Sequence, residues 1–383
     1  MTFDRPSPRR VRGLSLVEIL VAMLIGLIGV VVITQAYLVN EDFKRSTVSA
    51  GGAQTNGALA LFTIERDARM AGYGFANSAA LGCANVQWHY NGQYSNPPQA
   101  GGTLPSIALR PVQIDDGGAG PDTVTIAYTV GADRVVPATL TKTMPSPSAE
   151  LEVDNPQGFS DSPGDLILLV QGGNCTMMQV TNVQTSASKL QHNPGGSAPY
   201  NPSGGGSLLP AYSSGATVFN FGRPVVNVYS IASGSLQLAS LFTATSTTVV
   251  PGYTPTPFVI VEEILDLQAE YGKDDGVDND TVESATGFVA NDGRVDNYSV
   301  AAPADWTQVL SVRLGVLARS EHFQRPQPGA ACDATTASNA PAWAGGSFPG
   351  LGDLTDTANQ ARCYTYRVFE TVVPLRNMIW RQS

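Results

Sequence analysis

An apolar run of 26 residues, from Leu14 to Val39, is the feature that most limits how this chain can fold. It is longer than the roughly 20 residues that an α-helix needs to cross the hydrocarbon core of a membrane. The 13 residues before it carry four arginines and one aspartate, and basic residues beside a membrane helix favour the cytoplasmic side. Ordinary secretory signals have shorter apolar cores, of roughly 7–15 residues. The sequence therefore predicts a single-pass anchor with a cytoplasmic N-terminus and an exported body.

One ionisable residue, Glu18, lies within the apolar run, and Gly13 stands directly before the run. A charge at the centre of a membrane helix costs roughly 2.5–3.5 kcal/mol, and less near the interface. The order of basic leader, glycine, apolar run and glutamate resembles the prepilin cleavage motif of type IV pilins. The resemblance implies that a prepilin peptidase cuts between Gly13 and Leu14 on the cytoplasmic side and methylates the new terminus, Leu14. That family more often has phenylalanine at this position.

The same resemblance gives Glu18 a role in assembly. Cleavage would place an amine on Leu14, and Glu18 lies about 6 Å from it along a helix axis. The carboxylate can neutralise this amine or that of a neighbouring subunit, and either pairing lowers the cost of holding both charges in lipid or in a fibre. The resemblance implies that pairing between subunits sets their registration. The alternative is that Glu18 reaches the headgroups at the cytoplasmic edge, as in a plain signal anchor.

The helix is expected to continue beyond the membrane to Ala71, where Gly72 and Gly74 follow as a stop signal. Apolar residues recur at helical spacing and opposite charges stand four residues apart. The apolar stripe comprises Leu61, Ile64, Ala68 and Ala71, the charged pairs are Glu41–Arg45 and Glu65–Arg69, and Gly51, Gly52 and Gly57 mark a bend or a frayed region. A helix from Leu14 to Ala71 would be roughly 87 Å long.

Beyond residue 75 the pattern is typical of strands separated by loops rich in Gly, Pro, Ser and Asn. The predicted strands are 123–130, 165–170, 177–183, 225–232, 236–241, 259–271, 309–318 and 364–373. We therefore expect an α+β, pilin-like fold, in which a long N-terminal helix packs on an antiparallel, β-rich body. The expected divisions are a leader (1–13), a transmembrane half of the helix (14–39), an amphipathic half (40–74) and an exported body (75–383).

Three phrases of the sequence resemble PilW-like minor pilins: 64–73, 263–275 and 368–380. The resemblance implies a minor pilin that helps to initiate type IV pilus biogenesis, at or near the pilus tip. Its partners would be the prepilin peptidase, other minor and major pilins and the inner-membrane assembly machinery. Two alternatives stay open: a pseudopilin of a type II secretion system, and a periplasmic adhesin or enzyme with a plain signal anchor.

The cysteines and one aspartate-rich segment are the remaining candidate sites. An even number of cysteines in an exported chain predicts two disulfides, and loop closure favours Cys83 with Cys175 and Cys332 with Cys363. Calcium prefers several oxygen ligands from one loop, which makes Asp274, Asp278 and Asp280 candidate ligands. The segment does not fit the EF-hand pattern, however, and a solvated turn is the competing interpretation.

Composition and motifs argue against other functions. With a net charge of −10, the chain lacks the overall excess of basic residues that is typical of nucleic-acid-binding proteins. The chain contains none of the serine-hydrolase, zinc-protease, P-loop or dinucleotide-binding motifs. We therefore expect neither an enzyme nor a nucleic-acid-binding protein.

Overall fold

Helix α1 runs without interruption from Leu16 to Ala68, a length of 53 residues. In this computed structural model the described residues are 15–76, 78–96, 100–130, 136–146, 148–162, 164–195, 198–202, 210–242, 256–277, 290–324, 326 and 329–379. At 1.5 Å per residue α1 is about 80 Å long. It ends three residues before the predicted Ala71, and the chain then turns through Gly72 and Gly74, both with positive φ. The glycines at 51, 52 and 57 do not break the helix.

Outside α1, most of the regular structure in the described chain is strand, with two short α-helices, α2 (Ser78–Leu81) and α3 (Arg376–Ile379). The strands are β1 (His89–Tyr90), β2 (Gln93–Tyr94), β3 (Val112–Asp115), β4 (Thr123–Val130), β5 (Ala138–Thr139), β6 (Leu151–Glu152), β7 (Leu166–Gln171), β8 (Asn174–Gln179), β9 (Asn182–Gln184), β10 (Lys189–Gln191), β11 (Thr217–Ala232), β12 (Ser235–Phe242), β13 (Phe258–Glu262), β14 (Ile264–Lys273), β15 (Asn297–Ser299), β16 (Val309–Arg319), β17 (Ala342–Trp343), β18 (Gly346–Ser347) and β19 (Tyr366–Pro374).

Two large antiparallel sheets form the centre of the body, and within the described residues three smaller ones, β1-β2, β6-β10-β9 and β17-β18, lie beside them. The main sheet has the order β13-β12-β11-β4-β3, and β5 and β7 pair with the first part of β11, with β8 beside β7. The second sheet has the order β15-β14-β16-β19. Helix α1 packs mainly on β16 and β19. The α+β class expected from the sequence, with a long N-terminal helix packed on an antiparallel, β-rich body, is confirmed.

Two of the predicted strands are each divided in two. The predicted strand 259–271 breaks at Glu263, which has φ 58°, because β13 pairs with β12 of the main sheet whereas β14 pairs with β16 of the second sheet. The predicted strand 177–183 breaks after Gln179, because Val180 donates to Asp165 and Thr181 to Gln191. The strand predicted at 123–130 has the bounds of β4.

The apolar residues of the body form three clusters. The largest lies between α1 and the two sheets. A second lies within residues 138–218 and includes Leu140, Leu151, Leu190 and Val218. A third, around Trp343 and Leu351, lies under the loops near the C-terminus. Strands β7 and β8 separate the first two clusters, since alternate side chains of each strand point into one or the other.

We call residues 138–218 the distal lobe, because they lie beyond the end of α1. Residues at the end of α1 and in the turn after it contact the main sheet. The later a residue comes in the chain, the closer its contact lies to the start of β11. Asp67 bonds to Asn227 at 2.6 Å, and Tyr73 bonds to Thr129 at 3.0 Å. The rings of Phe75 and Phe221 are 5.8 Å apart. Strand β11 continues to Thr217, ten residues before Asn227, which at about 3.3 Å per residue is roughly 30 Å along the strand from the Asp67 contact.

Candidate functional site

The first half of α1 lies outside the body of the protein. Within the described residues, one helix, α1, is long and apolar enough to span a membrane; its most apolar window has a mean hydropathy of 3.0, and none of that window is buried. Large apolar side chains such as Leu16 and Ile33 are at least 70% exposed. So much uncovered apolar surface is unstable in water, which indicates that this half lies in lipid or against other helices.

Ser15 and Glu18 close the first turn of α1. Ser15 is the N-cap, with φ −75° and ψ 150°. Its hydroxyl accepts a hydrogen bond from the Glu18 backbone N–H at 3.2 Å, and Glu18 Oε2 accepts from the Ser15 backbone N–H at 2.9 Å. This reciprocal pair is a capping box, which satisfies two of the backbone donors that a helix start leaves unpaired.

The second half of α1 attaches to the body through small side chains. Ser49, Ala53 and Ala60 are buried on its inner face. At Gly57 the approach is closest, since an added Cβ would lie 2.1 Å from Cε2 of Phe369 on β19. The His322 backbone N–H donates to Ser49 Oγ at 2.9 Å, near the point where α1 leaves the body.

The outer face of this half carries uncovered apolar side chains among polar ones. Phe62 is 61% exposed and Leu59 is 48% exposed, and Val48 lies on the same side of the helix. An amphipathic helix on a body normally turns its apolar stripe inwards and polar groups outwards. These three exposed side chains therefore offer contact points for other helices beyond the anchor half.

Asp67 lies between the end of α1 and the main sheet, and it is 2% exposed. Its Oδ2 accepts hydrogen bonds from Asn227 Nδ2 and from the Tyr229 hydroxyl, both at 2.6 Å. Its Oδ1 accepts from the Tyr128 hydroxyl at 3.4 Å and lies 3.4 Å from the Arg66 guanidinium. A buried carboxylate is tolerated only when its lone pairs are satisfied in this way, so the contact fixes α1 to β4 and β11.

The two tyrosines stay protonated donors at this contact. Burial, followed by the negative charge of Asp67, raises the pKa of Tyr128 to about 12. Burial and the hydrogen bond to Asp67 raise the pKa of Tyr229 as well. The hydroxyl groups therefore keep their protons, and keep donating to Asp67, over the whole physiological pH range.

The C-terminal segment holds the end of α1 from the other side. Asn377 Nδ2, on α3, donates to the backbone carbonyls of Met70 at 3.2 Å and Ala71 at 3.0 Å. The last turn of a helix leaves backbone carbonyls without donors inside the helix. The carbonyls of Met70 and Ala71, just after α1, likewise need donors from elsewhere in the chain. Gly72 then donates to Ala127 of β4 at 2.9 Å. The end of α1 is thus held by both the main sheet and α3.

Comparisons with known proteins match both the first half of α1 and the body. The family model for Type IV Pilus-assembly protein W matches residues 228–377, and the model for the prokaryotic N-terminal methylation motif matches residues 8–34. The chain is a PilW-like type IV pilin. The match to the pilus-assembly family includes three residues that hold α1 or the turn after it, namely Tyr229, Phe369 and Asn377. The match to the methylation motif includes Gly13, Leu14 and Glu18.

A solved structure gives a weaker likeness. The type IV-like pilin TTHA1219 from Thermus thermophilus aligns with 84% of this chain and 95% of its own, at 9% identity and a TM-score of 0.31. None of the curated proteins matches the chain.

In this PilW-like pilin, the two residues of the expected cleavage site, Gly13 and Leu14, lie outside the described residues, so cleavage and methylation there stay predictions. Glu18 is described, and it bonds to its own helix start. The predicted ion pairs Glu41–Arg45 and Glu65–Arg69 are both present.

Both expected disulfides are present. Cys83 bonds to Cys175, and Cys332 bonds to Cys363. The first joins the segment after α2 to strand β8, and the second closes the loop that covers the second sheet. Trp88 and Tyr90, which follow Cys83 in the sequence, are buried in the core.

The candidate calcium ligands are only partly described. Asp278 and Asp280 lie outside the described residues, and Asp274 meets Asp292 and Asp296 with their carboxylate oxygens within 4.8 Å of one another. Backbone N–H groups already bond to this group: Gly293 donates to Asp274 at 2.8 Å, and residue 276 donates to Asp296 at 2.6 Å. Burial, and the nearby acidic groups, raise the pKa of Asp296. These bonds explain the cluster as a folded turn, and calcium binding stays a prediction.

Sequence reasoning missed three residues that fix α1: Gly57, Asp67 and Asn377. A signal existed for Asp67, because it lies between Ile64 and Ala71 on the predicted buried stripe, where an acidic side chain needs partners. Gly57 was interpreted as a weak point of the helix, whereas it allows β19 to approach closely. Nothing in the sequence connects Asn377 with residues 70 and 71, some 300 positions earlier.

Proposed function

We propose that this chain is a minor pilin that assembles with other pilins and initiates type IV pilus biogenesis at or near the pilus tip. It would be anchored in the inner membrane by the first half of α1, with the N-terminus cytoplasmic and the body periplasmic. The prepilin peptidase would cut between Gly13 and Leu14 and methylate Leu14, and the inner-membrane machinery would then extract the subunit into the pilus. A structural role of this kind requires no catalytic site.

The exposed apolar surface of α1 supports assembly with other pilins. In lipid, this surface is covered by acyl chains, and in a fibre it can be covered only by other apolar helices. The outer residues Leu59 and Phe62 extend that surface into the half of α1 that is attached to the body. The match to a pilus-assembly family favours a pilus over a secretion system.

The position of the distal lobe supports a place at the tip. In a fibre of parallel α1 helices, the space beyond the end of each helix belongs to the next subunit along the axis. The distal lobe would extend into that space. A subunit of this shape fits best where nothing follows it, at the end of the fibre. This is the observation on which the tip assignment depends.

The first experiment tests processing. The chain is co-expressed with the prepilin peptidase, and the N-terminus of the membrane-bound protein is mapped by mass spectrometry. We expect a methylated Leu14 terminus, and expect Gly13→Val to retain Met1. A wild-type terminus at Met1, or a cut elsewhere, would contradict the assignment as a pilin and favour a plain signal anchor.

The second experiment tests position. Pili sheared from cells are labelled with gold-conjugated antibody against a peptide of the distal lobe, such as residues 181–192. We expect label at one end of each fibre. Label spaced along the shaft would contradict the tip assignment, and co-purification with secretion-system components instead of pilins would favour the pseudopilin alternative.

A further inference from the structure

The chain approaches the membrane anchor as it leaves β16. An added Cβ on Gly57 would lie 3.0 Å from Cβ of Ala318, and the His322 backbone N–H donates to Ser49 Oγ at 2.9 Å. Ser49 precedes Gly57 by eight residues, which is about 12 Å along α1 towards the anchor. The segment at 320–324, which we call the proximal turn, therefore lies on the side of the body that faces the anchor.

Hydrogen bonds fix the backbone of the proximal turn. The Ser320 backbone N–H donates to the Thr365 carbonyl at 2.8 Å, and the Ser320 hydroxyl donates to the His322 carbonyl at 3.1 Å. The Gln324 backbone N–H donates to the Cys363 carbonyl at 2.7 Å, and Cys363 is itself held by a disulfide. Together with the bond to α1, these contacts make the turn a fixed support for the residue between His322 and Gln324.

That residue is Phe323, which is 51% exposed. Its ring lies beside that of Tyr364, with the centroids 6.4 Å apart, and the Arg319 guanidinium lies 4.6 Å from the Tyr364 ring. The Phe323 ring is thus positioned by its neighbours but left half uncovered. An uncovered aromatic ring is unfavourable in water, whereas it is stable at the boundary between lipid and water.

A second exposed aromatic residue, Phe43, lies on α1 between the apolar run and the body. It is 72% exposed and precedes Gly57 by fourteen residues, close to four helical turns. Phe43 therefore lies on the side of α1 that faces the body. It is four residues beyond Val39, or about 6 Å, and the polar lipid layer is roughly 5–7 Å thick. Both exposed rings thus border the space between the body and the membrane.

The apolar part of α1 is longer than the core of a membrane. From Leu16 to Val39 it has 24 residues, about 36 Å of helix, against a core of roughly 30 Å. A helix of excess length tilts, and side chains at the interface set the direction of the tilt. A tilt towards the second sheet lowers the proximal turn towards the lipid, and the opposite tilt raises it.

The distances allow contact between the proximal turn and the lipid. Ser49 lies ten residues beyond Val39, about 15 Å along α1 and thus about 8–10 Å beyond the polar lipid layer. Phe323 follows the residue that bonds to Ser49, so its backbone is up to about 3.5 Å closer to the lipid. The length of the side chain and the tilt of the helix together close the remaining gap of roughly 5 Å.

We propose that the proximal turn is a membrane-contact surface, in which Phe323 enters the headgroup layer of the periplasmic leaflet beside Phe43 and tilts α1 towards the second sheet. The partner is a phospholipid surface and not another protein, because both rings border the membrane side of the body. This inference rests on the membrane anchoring in the proposed function. The contact holds the subunit in one orientation before it enters a pilus.

Photo-crosslinking in liposomes of phosphatidylethanolamine and phosphatidylglycerol tests the contact. Benzoylphenylalanine, which keeps an aromatic side chain, replaces Phe323, Phe43 or Ile379 in the full chain, and phospholipid adducts are measured by mass spectrometry. Ile379 is the matched control, since it is 42% exposed but lies on α3, which bonds to Ala71 at the other end of the body. About 40 Å or more of α1 separates that end from Val39.

We expect phospholipid adducts at positions 323 and 43, and about fivefold less at position 379. Equal yields at 323 and 379 would overturn the proposal. Absence of an adduct at 43 would overturn it too, because the bilayer would then end closer to the start of α1, out of reach of the proximal turn. In cells that express partner pilins, a crosslink from position 323 to another pilin in place of lipid would identify a subunit contact and contradict the proposal.

Two further variants test whether Phe323 is the anchoring group. With benzoylphenylalanine at the exposed neighbour His322, we expect Phe323→Asp to lower the yield of lipid adduct severalfold and Phe323→Trp to preserve it. Both variants should unfold close to the wild-type temperature, because the ring is half exposed. An unchanged yield in Phe323→Asp would show that the ring does not hold the turn on the lipid, which would overturn the proposal.

Failure of this inference and failure of the proposed function give different results. A chain that forms the lipid adduct at position 323 but keeps Met1, or is absent from pili, would refute the proposed function and leave the membrane contact in place. A chain that is processed and found in pili, but forms no such adduct, would refute the membrane contact alone.

Discussion

Asp67 places a negative charge inside the contact between α1 and the main sheet. All four groups around it, namely Asn227, Tyr229, Tyr128 and Arg66, are donors. Such an arrangement specifies one position of the helix, because a shift along the helix axis would bury the charge without its partners. Asp67 therefore helps to fix the position of the end of α1 on the main sheet.

Replacing Asp67 should be much more harmful than replacing a nearby acidic residue on the surface. We expect Asp67→Ala to lower the free energy of unfolding by roughly 2–6 kcal/mol, because two buried donors, on Asn227 and Tyr229, each lose their acceptor at a cost of about 1–3 kcal/mol. Asp67→Asn keeps one acceptor oxygen and should cost less. Urea unfolding of the detergent-solubilised chain provides the measurement.

The control for Asp67 is Glu65→Ala, which removes the partly exposed ion pair with Arg69 and should cost about 0.5 kcal/mol or less. Similar losses for Asp67→Ala and Glu65→Ala would contradict the role given to Asp67.

The two hydrogen bonds of the His89 side chain require a neutral imidazole ring. Its Nδ1 bonds to the Pro199 carbonyl at 3.0 Å, and its Nε2 accepts from the Gly92 backbone N–H at 2.9 Å. An Nε2 that accepts cannot also carry a proton. Burial lowers the pKa of His89, more strongly than the bond to Pro199 raises it.

The pH dependence follows from that direction. Because the folded-state pKa is below the unfolded value of about 6.5, the stability contributed by neutral His89 is complete above about pH 6.5 and is lost as the pH falls below it. We expect wild type to lose more stability between pH 7.5 and 5.5 than His89→Gln does.

Burial raises the pKa of Asp122 and Asp266. These two groups therefore increase the free energy of unfolding as the pH falls, opposite to His89, so the effect of His89 is seen only by comparing wild type with His89→Gln. His322→Gln, at an exposed position, is the control. Equal slopes for wild type and His89→Gln would show that His89 does not titrate in this way.

At the scale of elements, the glycines of α1 have opposite roles. Gly57 faces β19, where an added Cβ would lie 2.1 Å from Phe369, whereas Gly52 has open space around it. We expect Gly57→Ala to destabilise by about 1–3 kcal/mol through overpacking. Gly52→Ala should stabilise by up to about 1 kcal/mol through helix propensity. Thermal unfolding followed by circular dichroism tests both, and the same sign for the two variants would contradict this assignment.

The outer face of α1 should affect assembly but not folding. Leu59→Ser with Phe62→Ser changes two exposed side chains, so the unfolding temperature should stay close to that of wild type. We expect a several-fold lower amount of the double variant in sheared pili, because polar groups would replace apolar helix contacts. Gln54→Ser, at an exposed position on the same helix, is the control. Normal incorporation of the double variant would exclude this face from assembly.

The sequence predicted elements better than their boundaries. Alternation and β-branched residues identified β4 with its observed bounds, and spacing identified the buried stripe that includes Ile64 and Ala68. The break at Glu263 was not predictable, because it depends on which strands lie on either side of it. The local sequence pattern shows which residues are buried and whether they form a helix or a strand. It does not show where a chain passes from one sheet to another, because that depends on strands distant in the sequence.

At the scale of the whole molecule, the two disulfides close loops of different size. Cys83 and Cys175 are 92 positions apart, and Cys332 and Cys363 are 31 apart. On loop entropy alone, removing them should cost about 5 and about 4 kcal/mol respectively. We therefore expect a paired Cys→Ala variant of the first to unfold at lower urea than that of the second. The reverse order would indicate that strain or denatured-state structure outweighs loop size.

The candidate site was predictable only where it is continuous in the sequence. Gly13, Leu14 and Glu18 lie within six positions, so one short motif identifies all three. The attachment of α1 combines residues near 57 and 67 with others near 227, 369 and 377, and only folding brings these together. The distal lobe was not anticipated, because β7 and β8 are apolar on both faces and nothing local shows that each face meets a different core.

Strand β11 belongs to both the distal lobe and the part of the main sheet that holds α1. A pull on the lobe would pass lengthwise along this one strand to Tyr229 and Asp67, and from there into α1. The hydrogen bonds beside β11 would be loaded together in shear and not opened one after another like a zipper. The molecule thus has a continuous path for mechanical tension, from its outermost lobe to its anchor.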